Sequence, residues 1–151
     1  NMIPTLVVFA ALVPAYCCAQ ADGQLSALTI VGAAVCLVAV VLQIVSDGQM
    51  RRFRKDPANK GRHITGGLWK YSRHPNYLGE VSFWWGIYIM MLGQLPDMWW
   101  LIFGPMLMTL LFVFISIPLM EKRLLTMRPG YAGYKKATSM LLLLPPRRAS
   151  E

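Results

Sequence analysis

Four long stretches, almost free of charge, dominate this chain and leave it few folds. They cover residues 2–20, 26–45, 76–95 and 98–120. A helix rises 1.5 Å per residue, so about 20 residues cross a hydrocarbon core of roughly 30 Å. Only 15% of the residues are charged, against roughly 25% in soluble domains. Mean hydropathy is +0.45, which argues against a soluble globule. The chain reads as all-α, an integral membrane helical bundle with about four transmembrane helices. The third stretch carries Glu80 near its start, and Gly93 and Pro96 mark its end.

The placement of charge orients the bundle. Net charge is +8, and all fifteen Lys and Arg lie in two segments, eight in 51–73 and seven in 122–148. The connections near Asp22 and Asp97 contain none. Four spans put both basic segments on one side, and the positive-inside rule makes that side cytoplasmic. The basic loop and the C-terminal tail are therefore expected in the cytoplasm, beside anionic membrane lipids.

The three cysteines, Cys17, Cys18 and Cys36, fall inside expected spans without metal-ligand spacing. With His63 and His74 the only histidines, no metal site is expected. The first stretch lacks the basic n-region and cleavage site of a signal peptide. Asn1 stands directly against an apolar run, so the chain is expected to be a fragment of a larger multi-span protein. Residues 1–45 form two N-terminal spans. Residues 46–151 form a second unit: a basic loop, two further spans and a tail.

The loop 46–73 is the only long polar segment. Asp47, Arg51, Arg54 and Lys55 have helical spacing, so the second span should run on as a helix with one polar face. Asp56-Pro57 ends it. Gly66-Gly67 permits close backbone approach but matches no dinucleotide fingerprint. Then Lys70, Arg73, His74, Asn76, Tyr77 and Glu80 fall within eleven positions. Pro75 suits the first turn of the third span, and Asn76 and Glu80 share a face. Past the fourth span, a tail is expected from Glu121. Pro129-Gly130 interrupts it, Tyr131 and Tyr134 lie one turn apart, and the apolar segment 140–144 is too short to span. That segment lies at the interface or packs back on the loop.

Polar groups this dense at the mouth of a span are costly unless they bind something. A polyanionic cofactor needs cations, best supplied as arginine forks; Arg51, Arg54 and Arg73 are available. Its ring and ribose edges need amide or carboxylate groups, as Asp47, Asn76 and Glu80 provide. Its faces need aromatic partners such as Trp69, Tyr71 and Tyr77. Each residue also has a structural alternative. Glu80 pairs with Arg73 or Lys70, the aromatics form an interfacial belt, His74 and Asn76 cap a helix, and Asp47 pairs with Arg51.

The elements Ser46-Asp47-x-x-x-Arg51-x-x-Arg54-Lys55 and Gly66-Gly67-Leu68-x-x-Tyr71-x-x-x-x-Asn76-Tyr77-Leu78-Gly79-Glu80 together resemble the C-terminal domain of the steroid 5-alpha-reductase family. The form Ser72-Arg73-His74-Pro75-Asn76-Tyr77 is most similar to its bacterial branch of unassigned substrate, as is the tail Ile117-Pro118-Leu119-Met120-Glu121-Lys122-Arg123. The resemblance implies a membrane oxidoreductase that uses NADPH to reduce a carbon–carbon double bond conjugated to a carbonyl in a steroid-like or other lipid. It implies a cofactor site drawn from Asp47, Arg51, Arg54, Tyr71, Arg73, His74, Asn76, Tyr77 and Glu80. In that family the carbonyl-polarising groups come from an earlier part of the chain, so no catalytic residue is assigned.

The segment Arg73-His74-Pro75-x-Tyr77-x-Gly79 also resembles isoprenylcysteine and phospholipid methyltransferases, which use S-adenosylmethionine. Their paired Glu-Glu is absent here, because Lys122 follows Glu121. A third reading is a non-enzymatic module whose basic loop binds anionic lipid. The expected partners are a lipidic small molecule and membrane lipids, with no nucleic acid.

Overall fold

The computed structural model describes residues 3–21 and 25–147; Asn1, Met2, Arg148 and the connection at Asp22 lie outside them. Helix α1 is Ile3–Gln20, α2 is Ala27–Lys55 and α3 is Pro75–Gln94. A 3-10 segment, Pro96–Ile102, leads into α4, Phe103–Leu110; a π-helical turn, Leu111–Ser116, joins it to α5, Ile117–Met127. Helix α6 is Tyr131–Ala137. Among the described residues there is no strand, only an isolated parallel bridge between Ser72 and Ser139.

The all-helical expectation holds. Two helical runs are long and apolar enough to cross a membrane by length and composition, Ala27–Lys55 and Pro96–Met127. The first stretch forms a shorter apolar helix. The third forms α3, whose Asn76, Glu80 and Gln94 dilute its apolar character. Helix α2 does run on past the apolar stretch, for 29 residues in all, or about 43 Å at 1.5 Å each. Ser26 caps it, its hydroxyl accepting from the Thr29 N–H at 3.1 Å. The fourth stretch extends further than the sequence suggests. Its helix continues to Met127, so Glu121 stands within α5 and does not begin a tail.

Small residues zip α2 and α3 together. Gly79, Gly86 and Gly93 recur every seven residues on α3 and pack against Ala39, Gly32 and the Ser26–Thr29 turn of α2, respectively. A Cβ at Gly32 would lie 2.5 Å from the Met90 nitrogen and 2.7 Å from the Gly86 oxygen; one at Gly79 would lie 2.8 Å from the Ala39 oxygen. Backbones this close need glycine, and a seven-residue repeat keeps the seam on one face. The opposite face of α2 is apolar and open: Ile30, Leu37, Val38 and Ile44 are all more than 60% exposed.

Helix α1 closes the other side of α3. Ala11, Trp84, Met108 and Leu111 form one core cluster and Tyr88, Met91 and Leu101 another. The π turn has a local cause. Pro118 lacks an N–H and its ring crowds the carbonyl four residues back, which a wider turn relieves.

At the other end of α2 the chain builds a polar cap. Two 3-10 turns, Pro57–Asn59 and Gly67–Lys70, fold the loop back against α2. Gln49 Oε1 accepts from the Leu68 N–H at 3.0 Å, and the Trp69 indole N–H donates to the Ser46 carbonyl at 3.2 Å. Gly67 holds φ +62° where a Cβ would strike Gln49. The tail returns alongside. The Arg73 N–H donates to the Ser139 carbonyl at 2.9 Å, the Ser72 hydroxyl to the Leu141 carbonyl at 2.7 Å, and the Leu144 N–H to the Tyr71 carbonyl at 3.1 Å. The apolar segment 140–144 therefore packs back on the loop.

Candidate functional site

The cap encloses a cavity of about 840 Å³, within the roughly 300–1,000 Å³ of small-molecule sites. Its walls come from four parts of the chain. The end of α2 gives Asp47, Met50, Phe53, Arg54 and Lys55; the loop gives His63, Ile64, Trp69, Arg73 and His74; α3 gives Asn76. Helices α5 and α6 and their turn give Met120, Arg123, Leu124, Met127, Arg128, Tyr131 and Tyr134. The floor is apolar and aromatic, the rim basic. Seven Lys and Arg line it against two Asp.

Behind the wall sits one buried carboxylate. Glu121 Oε1 accepts from Arg73 Nε at 2.7 Å, lies 3.1 Å from His74 Nε2, and accepts from the Tyr131 hydroxyl at 3.4 Å. Its Oε2 lies 2.9 Å from Lys135 Nζ. Burial pushes this carboxyl up, but hydrogen bonds from His74 and Lys135 and the charges of Arg73 and His74 outweigh it and hold the pKa at about 2. Arg73 Nη1 also donates to the Lys135 and Thr138 carbonyls at the end of α6, where a cation offsets the helix dipole. One acid thus ties α5 to the start of α3 and to α6.

The aromatic floor is built the same way. The Tyr134 hydroxyl donates to the Trp69 carbonyl. His63 lies edge-on to Tyr131 at 5.5 Å and tilted over Tyr134 at 5.2 Å. Burial, with Arg128 nearby, lowers the His63 pKa; burial, with the Glu121 charge, raises those of Tyr131 and Tyr134. All three are neutral at pH 7. Among the described residues two buried side-chain polar atoms lack a hydrogen-bond partner, His63 Nδ1 and Asn76 Oδ1. Both residues line this cavity.

Of the residues picked out from sequence, Asp47, Arg54, Arg73, His74 and Asn76 line the cavity; Arg51, Tyr71, Tyr77 and Glu80 do not. Arg51 lies on another part of the α2 surface. Tyr71 is exposed, its ring 5.9 Å from Lys70 Nζ. Tyr77 stacks on His74 at 5.5 Å and packs on Phe112 of the π turn, so it props the wall from behind. Glu80 pairs with neither Arg73 nor Lys70: it accepts from the Trp84 indole at 3.0 Å and faces Gln43 of α2. Arg73 has its guanidinium engaged by Glu121 and the tail. Asn76 sits inside α3 without a capping bond, and Asp47 makes no ion pair with Arg51.

Glu121, His63, Arg123 and Arg128 belong to the site without being marked by the sequence pattern. Glu121 stands beside a basic run in the sequence, but its partners Arg73 and His74 are 48 and 47 residues away. The Tyr131–Tyr134 spacing pointed to a shared face without saying what it covered.

The arrangement suits an anionic ligand with a flat polar ring. The three ion pairs among the described residues all use Glu121, which leaves Arg54, Lys60, Arg123 and Arg128 without a carboxylate among those residues and open to an anionic ligand. No group of three His, Cys, Asp or Glu converges on a metal position among the described residues.

No curated protein and no solved structure matches the chain. A family model described as a protein of unknown function (DUF1295) matches residues 2–138. The chain therefore belongs to the DUF1295 family, and the matched residues include the seam, most of the cap and all of the cavity wall.

Proposed function

We propose that this chain is the nucleotide-binding part of a membrane-embedded, NADPH-dependent reductase acting on a carbon–carbon double bond conjugated to a carbonyl in a lipid. The observation that carries this reading is the cavity itself. It brings arginines on its rim that make no ion pair together with an Asn76 Oδ1 in its wall that has no hydrogen-bond partner, both among the described residues. A buried acceptor left unsatisfied costs about 1–3 kcal/mol, a cost that a bound carboxamide or hydroxyl donor removes. Arg54 and Arg123 suit the cofactor phosphates, Asn76 and Asp47 its amide and ribose edges, and Trp69 its ring face. When bound, NADPH supplies the hydride. The protein's own part is to hold the acceptor against it and exclude water, with Tyr131 and Tyr134 fixed by Glu121 and Trp69.

The bundle of α1–α4 then lies in the bilayer with the cap on the cytoplasmic side, where the basic segments favour it. Met50, Phe53, Met120 and Leu124 form an apolar wall through which a lipid reaches the cavity.

One observation favours a second reading, an S-adenosylmethionine-dependent methyltransferase. Glu121 stands where those families carry their tail acids, and it holds Arg73 and His74. Against it, the methyl donor is a sulfonium cation, and the cavity rim is strongly basic. Titration of detergent-solubilised protein with NADPH, NADH and S-adenosylmethionine separates the two. NADPH is expected to bind tighter than NADH; binding of S-adenosylmethionine alone would overturn the reductase.

A further inference from the structure

We infer that His63, with Arg128 beside it, forms the pocket for the substrate's carbonyl oxygen. This rests on the reductase reading and supplies what the sequence left outside these residues, a group to polarise the enone.

Three observations converge on His63. Its ring lines the cavity, packed on Tyr131 and Tyr134 without a hydrogen bond to either. Its Nδ1 is buried and has no partner among the described residues. Arg128 lines the same cavity, near enough for its charge to disfavour protonation of the ring. A neutral imidazole carries one N–H, and a buried nitrogen without a partner is unstable until a ligand supplies one.

The chemistry needs such a group. Hydride adds to the carbon β to the carbonyl, the π pair of the double bond moves toward oxygen, and an enolate forms. A proton from water at the α carbon completes the saturated ketone. Negative charge therefore develops on the oxygen, and a preorganised N–H donor with a guanidinium beside it stabilises that charge. The neighbours of His63, Ile64 and the two tyrosines, suit the apolar skeleton that carries the carbonyl.

The chain has two histidines, so the ¹⁵N-imidazole spectrum of the detergent-solubilised protein is simple to read. The probes are cholest-4-en-3-one and β-ionone, a sterol and an isoprenoid enone, added at saturating NADPH. An enone is expected to shift the His63 nitrogens and leave those of His74, held by Glu121, in place. By calorimetry His63→Phe, which keeps the aromatic packing, should weaken enone binding about tenfold, the worth of one hydrogen bond. His63→Asn, which keeps an N–H near the Nδ1 position, should stay within about threefold of wild type. NADPH affinity should be equal in all three. Unmoved His63 signals, equal enone affinity in His63→Phe, or no enone bound by wild type would each overturn the proposal. Wild type that fails to bind NADPH would instead refute the reductase reading itself. Should His63→Phe not fold, the wild-type spectrum and His63→Asn still decide.

Discussion

The apolar body and the polar cap are held by opposite means. Between α2 and α3 there is almost no chemistry: Gly32, Ala39, Gly79 and Gly86 let backbones touch, and stability comes from close packing. In the cap a single carboxylate, Glu121, gathers Arg73, His74, Tyr131 and Lys135. Packing tolerates almost any side chain on the outward face and none on the inward one. The carboxylate knot tolerates bulk nearby but not the loss of its centre.

Glu121→Ala should have the largest effect. It strands Arg73 in a site where that residue is 8% exposed, and breaking a buried pair typically costs about 3–5 kcal/mol. The loss should appear in the cap first: limited proteolysis should cut the tail while α1–α4 stay protected. A tail as resistant as in wild type would remove Glu121 from its central place. Gly32→Ala comes next, costing about 1–3 kcal/mol of overpacking, read as a lowered Tm in detergent. Gly48→Ala is its control. A Cβ there meets nothing within 4 Å, so it should be neutral or stabilising by up to about 1 kcal/mol.

Acid should separate the two regions in the wild-type protein. The folded pKa of Glu121, about 2, lies below its ordinary 4.5. Its contribution is therefore complete above pH 4.5 and is lost as pH falls toward 2. Tail protection should fade across that window, and Glu121→Gln should abolish the dependence. The smallest effect distinguishes two arginines on one helix. Arg54→Lys should weaken NADPH binding about tenfold, because a fork becomes a point charge; Arg51→Lys should change nothing. Equal losses would place the cofactor outside the cavity.

Much of the body was legible in the sequence because helix length and charge distribution are local properties. The α2 extension to Lys55 followed from the spacing of Asp47, Arg54 and Lys55, and the start of α3 from Pro75. The seven-residue repeat of Gly79, Gly86 and Gly93 was in plain view too, but only a partner helix gives it meaning. The cap was legible in its composition and not in its wiring. Arg73 looked like a phosphate ligand because nothing local shows that Glu121 and the Lys135 and Thr138 carbonyls claim its guanidinium. Glu80 looked like a site residue because Asn76 four positions earlier is one, yet Trp84 and Gln43 occupy it. Helical spacing says which residues share a stripe, but not where along the stripe a cavity stops.

The bridge between Ser72 and Ser139 has a consequence for how the protein is made. A ribosome delivers Arg73 long before Glu121, and Glu121 before Ser139. During that interval the guanidinium has no carboxylate, the loop has no returning tail beside it, and the cavity has no floor. Tyr131, Tyr134 and the returning tail follow and complete all three together. A chain cut before Tyr131 would form its long helices and still hold no complete pocket, so the cavity depends on residues made well after the helices that frame it.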